Sequence, residues 1–181
     1  MKELPVRKNV RLHDYDYSKA GCYYITICVK DRHELLGRVV GAITNRPNQD
    51  ANTVQVELTE YGHIIEQTII GIPVYYPYVS VDKYTIMPNH IHILFTFRYS
   101  EMWIDGGNER NLDKDGRLII APTTLSNVVR QFKRHVTREI GFSMWQKSFH
   151  DRIIRNETEY QRVWRYIDEN PARWADDVYH Q

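Results

Sequence analysis

Two histidines separated by one residue stand in the run Met87-Pro88-Asn89-His90-Ile91-His92-Ile93-Leu94-Phe95. The run reads as a β-strand, on which side chains two apart share a face. His90 and His92 therefore project together, while Ile91, Ile93, Phe95 and Phe97 project the other way and can seal against a core. A pair of imidazoles backed by a continuous apolar face is half of a divalent-metal site. The same spacing also describes two half-exposed strand histidines that bind nothing, so the rest of the chain has to decide.

The second half comes from the last helix, read over residues 157–170. Its core stripe is Tyr160, Val163, Trp164 and Ile167, which follow the helical repeat. At 100° per residue Tyr166 lies about 110° from the centre of that stripe, so it is not another core aromatic. Asn170 is one turn on and shares its side of the helix. Pro171 ends the helix, because a residue before proline is pushed out of helical geometry. A phenol and a short amide one turn apart could complete what the two histidines begin. Tyr160 sits on the stripe and reads as packing.

The elements that position these groups follow in order. Residues 7–19 form a basic and aromatic lead-in, and residues 22–29 a first strand rich in β-branched and aromatic side chains. Residues 39–43 and 53–58 read as a hairpin. Residues 59–70 read as a helix with Thr59 as N-cap, and Pro73 and Pro77 punctuate its exit. Residues 79–87 and 91–97 are two more strands joined at Pro88-Asn89. Residues 98–117 carry turn chemistry and little apolar content, so a mobile surface excursion is expected there, with the insertion bounded at 98–120. Residues 124–140 form an amphipathic helix with Leu125, Val128, Val129, Phe132, Val136 and Ile140 turned to the core.

The chain has 181 residues, 42% of them hydrophobic, which suits one domain spanning 1–181 with a sizeable core. A formal charge of +1 does not announce a nucleic-acid binder. Distribution says more. Between 130 and 155 seven cations (Arg130, Lys133, Arg134, Arg138, Lys147, Arg152 and Arg155) face only Glu139 and Asp151, enough to attract phosphates locally. Cys22 and Cys28 are the only cysteines, too far apart on one strand to bridge, and read as reduced thiols. No signal peptide and no membrane span are evident, so a soluble cytoplasmic protein is expected.

Taken together, Pro88-Asn89-His90-Ile91-His92, Trp145-Gln146, Asp151-Arg152-Ile153-Ile154-Arg155-Asn156 and Tyr166-Ile167-x-x-Asn170-Pro171 resemble the single-tyrosine HUH transposases. The likeness is to the REP-associated tyrosine transposase branch. The lead-in Arg11-Leu12-His13-Asp14-Tyr15-Asp16-Tyr17 and the strand Tyr23-Tyr24-Ile25-Thr26-Ile27 share it. The resemblance covers most of the chain apart from residues 43–55 and 98–120. His-hydrophobic-His alone is a weak signal; the ordered set ending in the tyrosine helix is a strong one.

The resemblance implies that His90 and His92 bind Mg²⁺ or Mn²⁺, that Asn170 is the third ligand with Glu169 the less favoured substitute, and that Tyr166 is the nucleophile. It implies a single-stranded DNA transposase and endonuclease, nucleoid-associated in the cytoplasm, that cleaves and rejoins hairpin-bearing element ends through a covalent 5′-phosphotyrosine. Arg130, Lys133, Arg134, Arg138, Arg152 and Arg155 are the expected DNA contacts, with Lys133 also expected near the phenol. The family usually has a histidine where this chain has Arg152, which leaves that contact open.

The element order gives an α+β fold, an antiparallel sheet with two helices on one face in a β-α-β-β-α-β arrangement, and the family likeness makes it ferredoxin-like (RRM-like). The other face is left free for the histidines, with the tyrosine helix brought over it. A monomer or weak homodimer with the site built in cis is expected. Two other classes compete: a catalytically inactive nucleic-acid-binding relative, and a metal-dependent hydrolase with no covalent step.

Overall fold

The computed structural model describes residues 20–41, 54–98 and 124–180. The lead-in, the tip of the first hairpin and nearly all of the 98–120 insertion lie outside them.

Four strands form one antiparallel sheet: β1 (Gly21–Cys28), β4 (Val79–Met87), β5 (His90–Phe97) and β6 (His150–Ile154), in the order β4-β5-β1-β6. A separate hairpin pairs β2 (Gly37–Val40) with β3 (Gln55–Leu58). Helices α1 (Glu60–Tyr75) and α2 (Leu125–Ile140) follow the chain order expected of a ferredoxin-like core. Ile91, Ile93, Phe95 and Phe97 of β5 join Ile65 and Ile69 of α1 and Leu125, Val128, Val129 and Phe132 of α2 in the main core. Strict alternation on β5 is thus what separates a packed face from a chemical one.

Local signals act where the sequence places them. Thr59 Oγ1 accepts from Gly62 N at 3.2 Å and starts α1. Thr124 Oγ1 accepts from Asn127 N at 3.2 Å and starts α2, which ends at Gly141 in the left-handed region (φ 90°). One reading needs correction. Helix α1 runs past Pro73 to Tyr75, because a proline in the final turn removes one backbone bond while buried Ile69 and Ile72 still hold the helix down. Residues 150–154 form β6, the strand that the β-α-β-β-α-β order places after α2, on the open edge of β1, pairing Cys22 with Ile154 and Thr26 with His150.

The second face of the sheet is not free. Helix α3 (Glu157–Glu169) crosses it, packing Val163 and Ile167 on Leu94 and Ile154. A 3₁₀ turn (Pro171–Asp176) and the residues after it then form a strap over the rest. Trp145 and Phe149 are buried in the main core, which anchors the connection from α2 to β6 on this same domain.

Candidate metal and tyrosine site

In register, His92 stands opposite Thr26 and His90 opposite Cys28 on β1. The two imidazoles meet with their Nε2 atoms 3.0 Å apart. Both are fully buried, which corrects the expectation of an open face. The strap buries them: the Tyr179 ring lies 4.6 Å and the Trp174 ring 6.0 Å from that of His90, centroid to centroid. Burial pushes the His90 pKa down to about 4, Asp177 opposing and the Arg32 cation assisting. Burial and the neighbouring His90 hold His92 low as well. Both rings are therefore neutral at neutral pH.

Each outer nitrogen is held. His90 Nδ1 lies 2.8 Å from Asn89 Oδ1. His92 Nδ1 lies 2.7 Å from the Tyr24 hydroxyl and 2.9 Å from Thr26 Oγ1. Such partners orient metal-binding imidazoles. The inner nitrogens are left to face one another, close enough that both could hold one divalent cation.

Two more donors converge. Asp177 brings a carboxylate oxygen within 4.8 Å of the histidine nitrogens. Asn170 is buried beside it and donates from Nδ2 to Asp177 Oδ2 at 2.9 Å, while its Oδ1 has no hydrogen-bond partner. A buried amide oxygen with no donor is costly, and a cation is one way to satisfy it. The residues present fit a hard divalent ion held by two imidazoles and oxygens. Asp177 carries no sequence signal: it sits ten residues past the last stripe residue, in a segment without periodicity, and only the turn at Pro171 brings it back.

The Tyr166 ring stands 5.4 Å from that of His92 and 6.2 Å from that of Tyr24, centroid to centroid. It is 37% exposed, so this side chain reaches the surface while the histidines do not. Burial, then Asp177 and Tyr179, raise its pKa, while hydrogen bonds from Asn170 and Tyr24 act the other way. The resting group is a phenol.

The expected DNA contacts divide. Arg152 pairs in register with Tyr24, on the histidine face, and its guanidinium meets Glu159 at 3.3 Å. Arg155 is exposed at the end of β6. Arg130, Arg134 and Arg138 are exposed on α2, which packs on the opposite face of the sheet. Lys133 is not beside the phenol. It lies on the same helix, donates to Gln146 O and Ser148 O, each at 2.8 Å, and is lowered to about 8 by burial. It ties the α2–β6 connection to α2. Glu169 pairs with Arg173 instead of turning to the histidines.

A protein of Haemophilus influenzae, described as uncharacterized, is 32% identical over 182 residues, spanning 94% of this chain and 91% of its own. The chain belongs to that protein's family. No family model matches it. A solved structure of a REP-associated tyrosine transposase bound to a REP hairpin superimposes with a TM-score of 0.57 at 19% identity, over 91% of this chain and 74% of that one.

The chain has the REP-associated tyrosine transposase fold. Within it, the helix that carries Tyr166 is fastened to its own sheet. Tyr160 donates to Asp82 Oδ2 at 3.1 Å, Lys83 pairs with Asp168, and the Lys83 ammonium lies 5.1 Å from the Trp164 ring centroid. No helix among the described residues is long and apolar enough to cross a membrane.

Proposed function

We propose that this protein is a metal-dependent single-stranded DNA transposase and endonuclease of the HUH type, acting in the cytoplasm. The observation that carries the reading is the placement of Tyr166 against His92 and the histidine pair within one chain. The transposase fold supports it, and the bound hairpin of the solved relative makes hairpin-bearing single strands the substrate to try.

In this reading the Tyr166 oxygen attacks a backbone phosphorus. The P–O3′ bond breaks, the 5′ phosphate stays on the tyrosine, and the phenolic proton ends on the released 3′ oxygen. A second 3′ hydroxyl can reverse the step, which rejoins strands. Tyr24 and Asn170 orient the phenol and favour its anion. His90, His92, Asn170 and Asp177 would hold Mg²⁺ or Mn²⁺, which supplies Lewis-acid stabilisation of phosphate charge. Arg152 and Arg155 would meet the strand beside the site, and Arg130, Arg134 and Arg138 would form a separate basic face for the duplex part. Because α3 is fastened to its own sheet, the site works in cis, in a monomer or weak dimer.

A second reading is a metal hydrolase without a covalent step, favoured by one observation, the carboxylate that Asp177 adds to the histidines. Incubation with Mn²⁺ and 5′-labelled or 3′-labelled hairpin DNA separates the two. The transposase reading requires a denaturation-resistant adduct on the 5′ end of the downstream fragment. Cleavage that persists in Tyr166→Phe, with no adduct in the wild type, would favour the hydrolase.

A further inference from the structure

Asn89 is a buried amide that touches three separate segments. Its Nδ2 donates to Tyr179 O in the strap at 2.8 Å and to Arg32 O at 3.2 Å. Arg32 ends a tight turn in which Asp31 and Arg32 both lie in the left-handed region, with φ 54° and 55°. Its Oδ1 lies 2.8 Å from His90 Nδ1. An amide nitrogen has two hydrogens and no lone pair to accept with, and both hydrogens here point at carbonyl oxygens. The amide therefore cannot flip without setting its oxygen against two other oxygens.

This constrains the histidine. With only a carbonyl oxygen before it, His90 Nδ1 must carry the ring proton. A neutral imidazole has one proton, so His90 Nε2 is left as a bare lone pair aimed at His92. His92 has no such constraint, because the hydroxyls of Tyr24 and Thr26 that face its Nδ1 can each donate or accept.

We propose that Asn89 is a positioning residue that fixes the proton of His90 on Nδ1 and so keeps Nε2 ready for a cation. The inference rests on the metal-site reading above and extends it to a residue that does not touch the metal. The structure makes the readiness of His90 depend on a closed strap and an intact Asp31-Arg32 turn, because those two carbonyls are what hold the amide in its one orientation.

The test reads the tautomer directly, from the ¹⁵N shifts of the His90 ring in metal-free protein near pH 7.5, with Mn²⁺ affinity from calorimetry beside it. Wild type should show Nδ1–H at His90; wild-type Nε2–H overturns the proposal with no variant needed. Asn89→Leu removes the acceptor, so His90 should leave the Nδ1–H form and Mn²⁺ affinity should fall about 10- to 100-fold. Asn89→Asp keeps an acceptor and loses both donors, so Nδ1–H should persist while the strap becomes more protease-sensitive. Retention of Nδ1–H in Asn89→Leu, or its loss in Asn89→Asp, overturns the proposal. Should Asn89→Leu fail to fold, wild type and Asn89→Asp still decide. A wild type that binds no Mn²⁺ would count against the metal reading, while the ring shifts would still judge the tautomer.

Discussion

The ring of Tyr166 lies 5.4 Å from that of His92, centroid to centroid, and both belong to one chain. Tyr160, six residues earlier on the same helix, is bonded instead to Asp82 of β4. The helix thus separates an anchoring tyrosine from one that faces the histidines. Tyr166→Phe should abolish the covalent DNA adduct and leave hairpin affinity unchanged. Tyr160→Phe should keep the adduct and lower stability by about 1 kcal/mol, the ordinary worth of one hydrogen bond. A wild-type adduct level in Tyr166→Phe, seen by denaturing electrophoresis, would remove the assignment.

The His90→Ala/His92→Ala variant should lose Mn²⁺ binding by calorimetry. It should also be less stable by about 2–4 kcal/mol, because both rings are fully buried and their removal leaves a cavity and unpaired hydroxyls. A urea midpoint equal to that of wild type would mean that the strap does not cover the pair in solution.

Acid should weaken the fold. Burial holds His90 at about 4 and His92 well below its ordinary value, against about 6.5 for an unfolded histidine. The folded state then binds fewer protons, so the stability these rings confer is complete above about pH 6.5 and is lost as pH falls toward about 4. For His90 alone the loss is on the order of 3 kcal/mol. Denaturant midpoints should therefore drop between about pH 7 and pH 4.5, and the double alanine variant should drop less. Equal slopes in the two proteins would contradict this assignment.

Gly62→Ala should destabilise the fold by about 1–3 kcal/mol, the usual cost of overpacking. A Cβ at Gly62 would drive into the Leu36 carbonyl oxygen and the Leu58 side chain, where the first turn of α1 meets the β2–β3 hairpin. Thermal melts would check it; an unchanged midpoint would mean that α1 can shift away from Leu36 at no cost.

Mixing the His90→Ala/His92→Ala protein with Tyr166→Phe should restore no cleavage, since Lys83 and Asp82 hold the tyrosine helix on its own sheet. Recovered cleavage in the mixture would show that Tyr166 reaches a partner's histidines.

What the sequence alone determined is what depends on local periodicity. Alternation placed His90 and His92 together and turned Ile91, Ile93 and Phe95 to the core, where they are found. The helical repeat set Tyr166 apart from Val163 and Ile167, and Thr59 and Thr124 marked where helices begin. What only the tertiary structure decided depends on pairings between distant segments. Strand register set Tyr24 and Thr26 behind His92. The position of α2 put its arginines on the opposite face of the sheet and occupied Lys133 with carbonyls. The strap brought Asp177 and Tyr179 onto the histidines. These residues follow a proline turn, where neither repeat constrains the path, and their place comes from the aromatic rings and buried amides they meet across the fold.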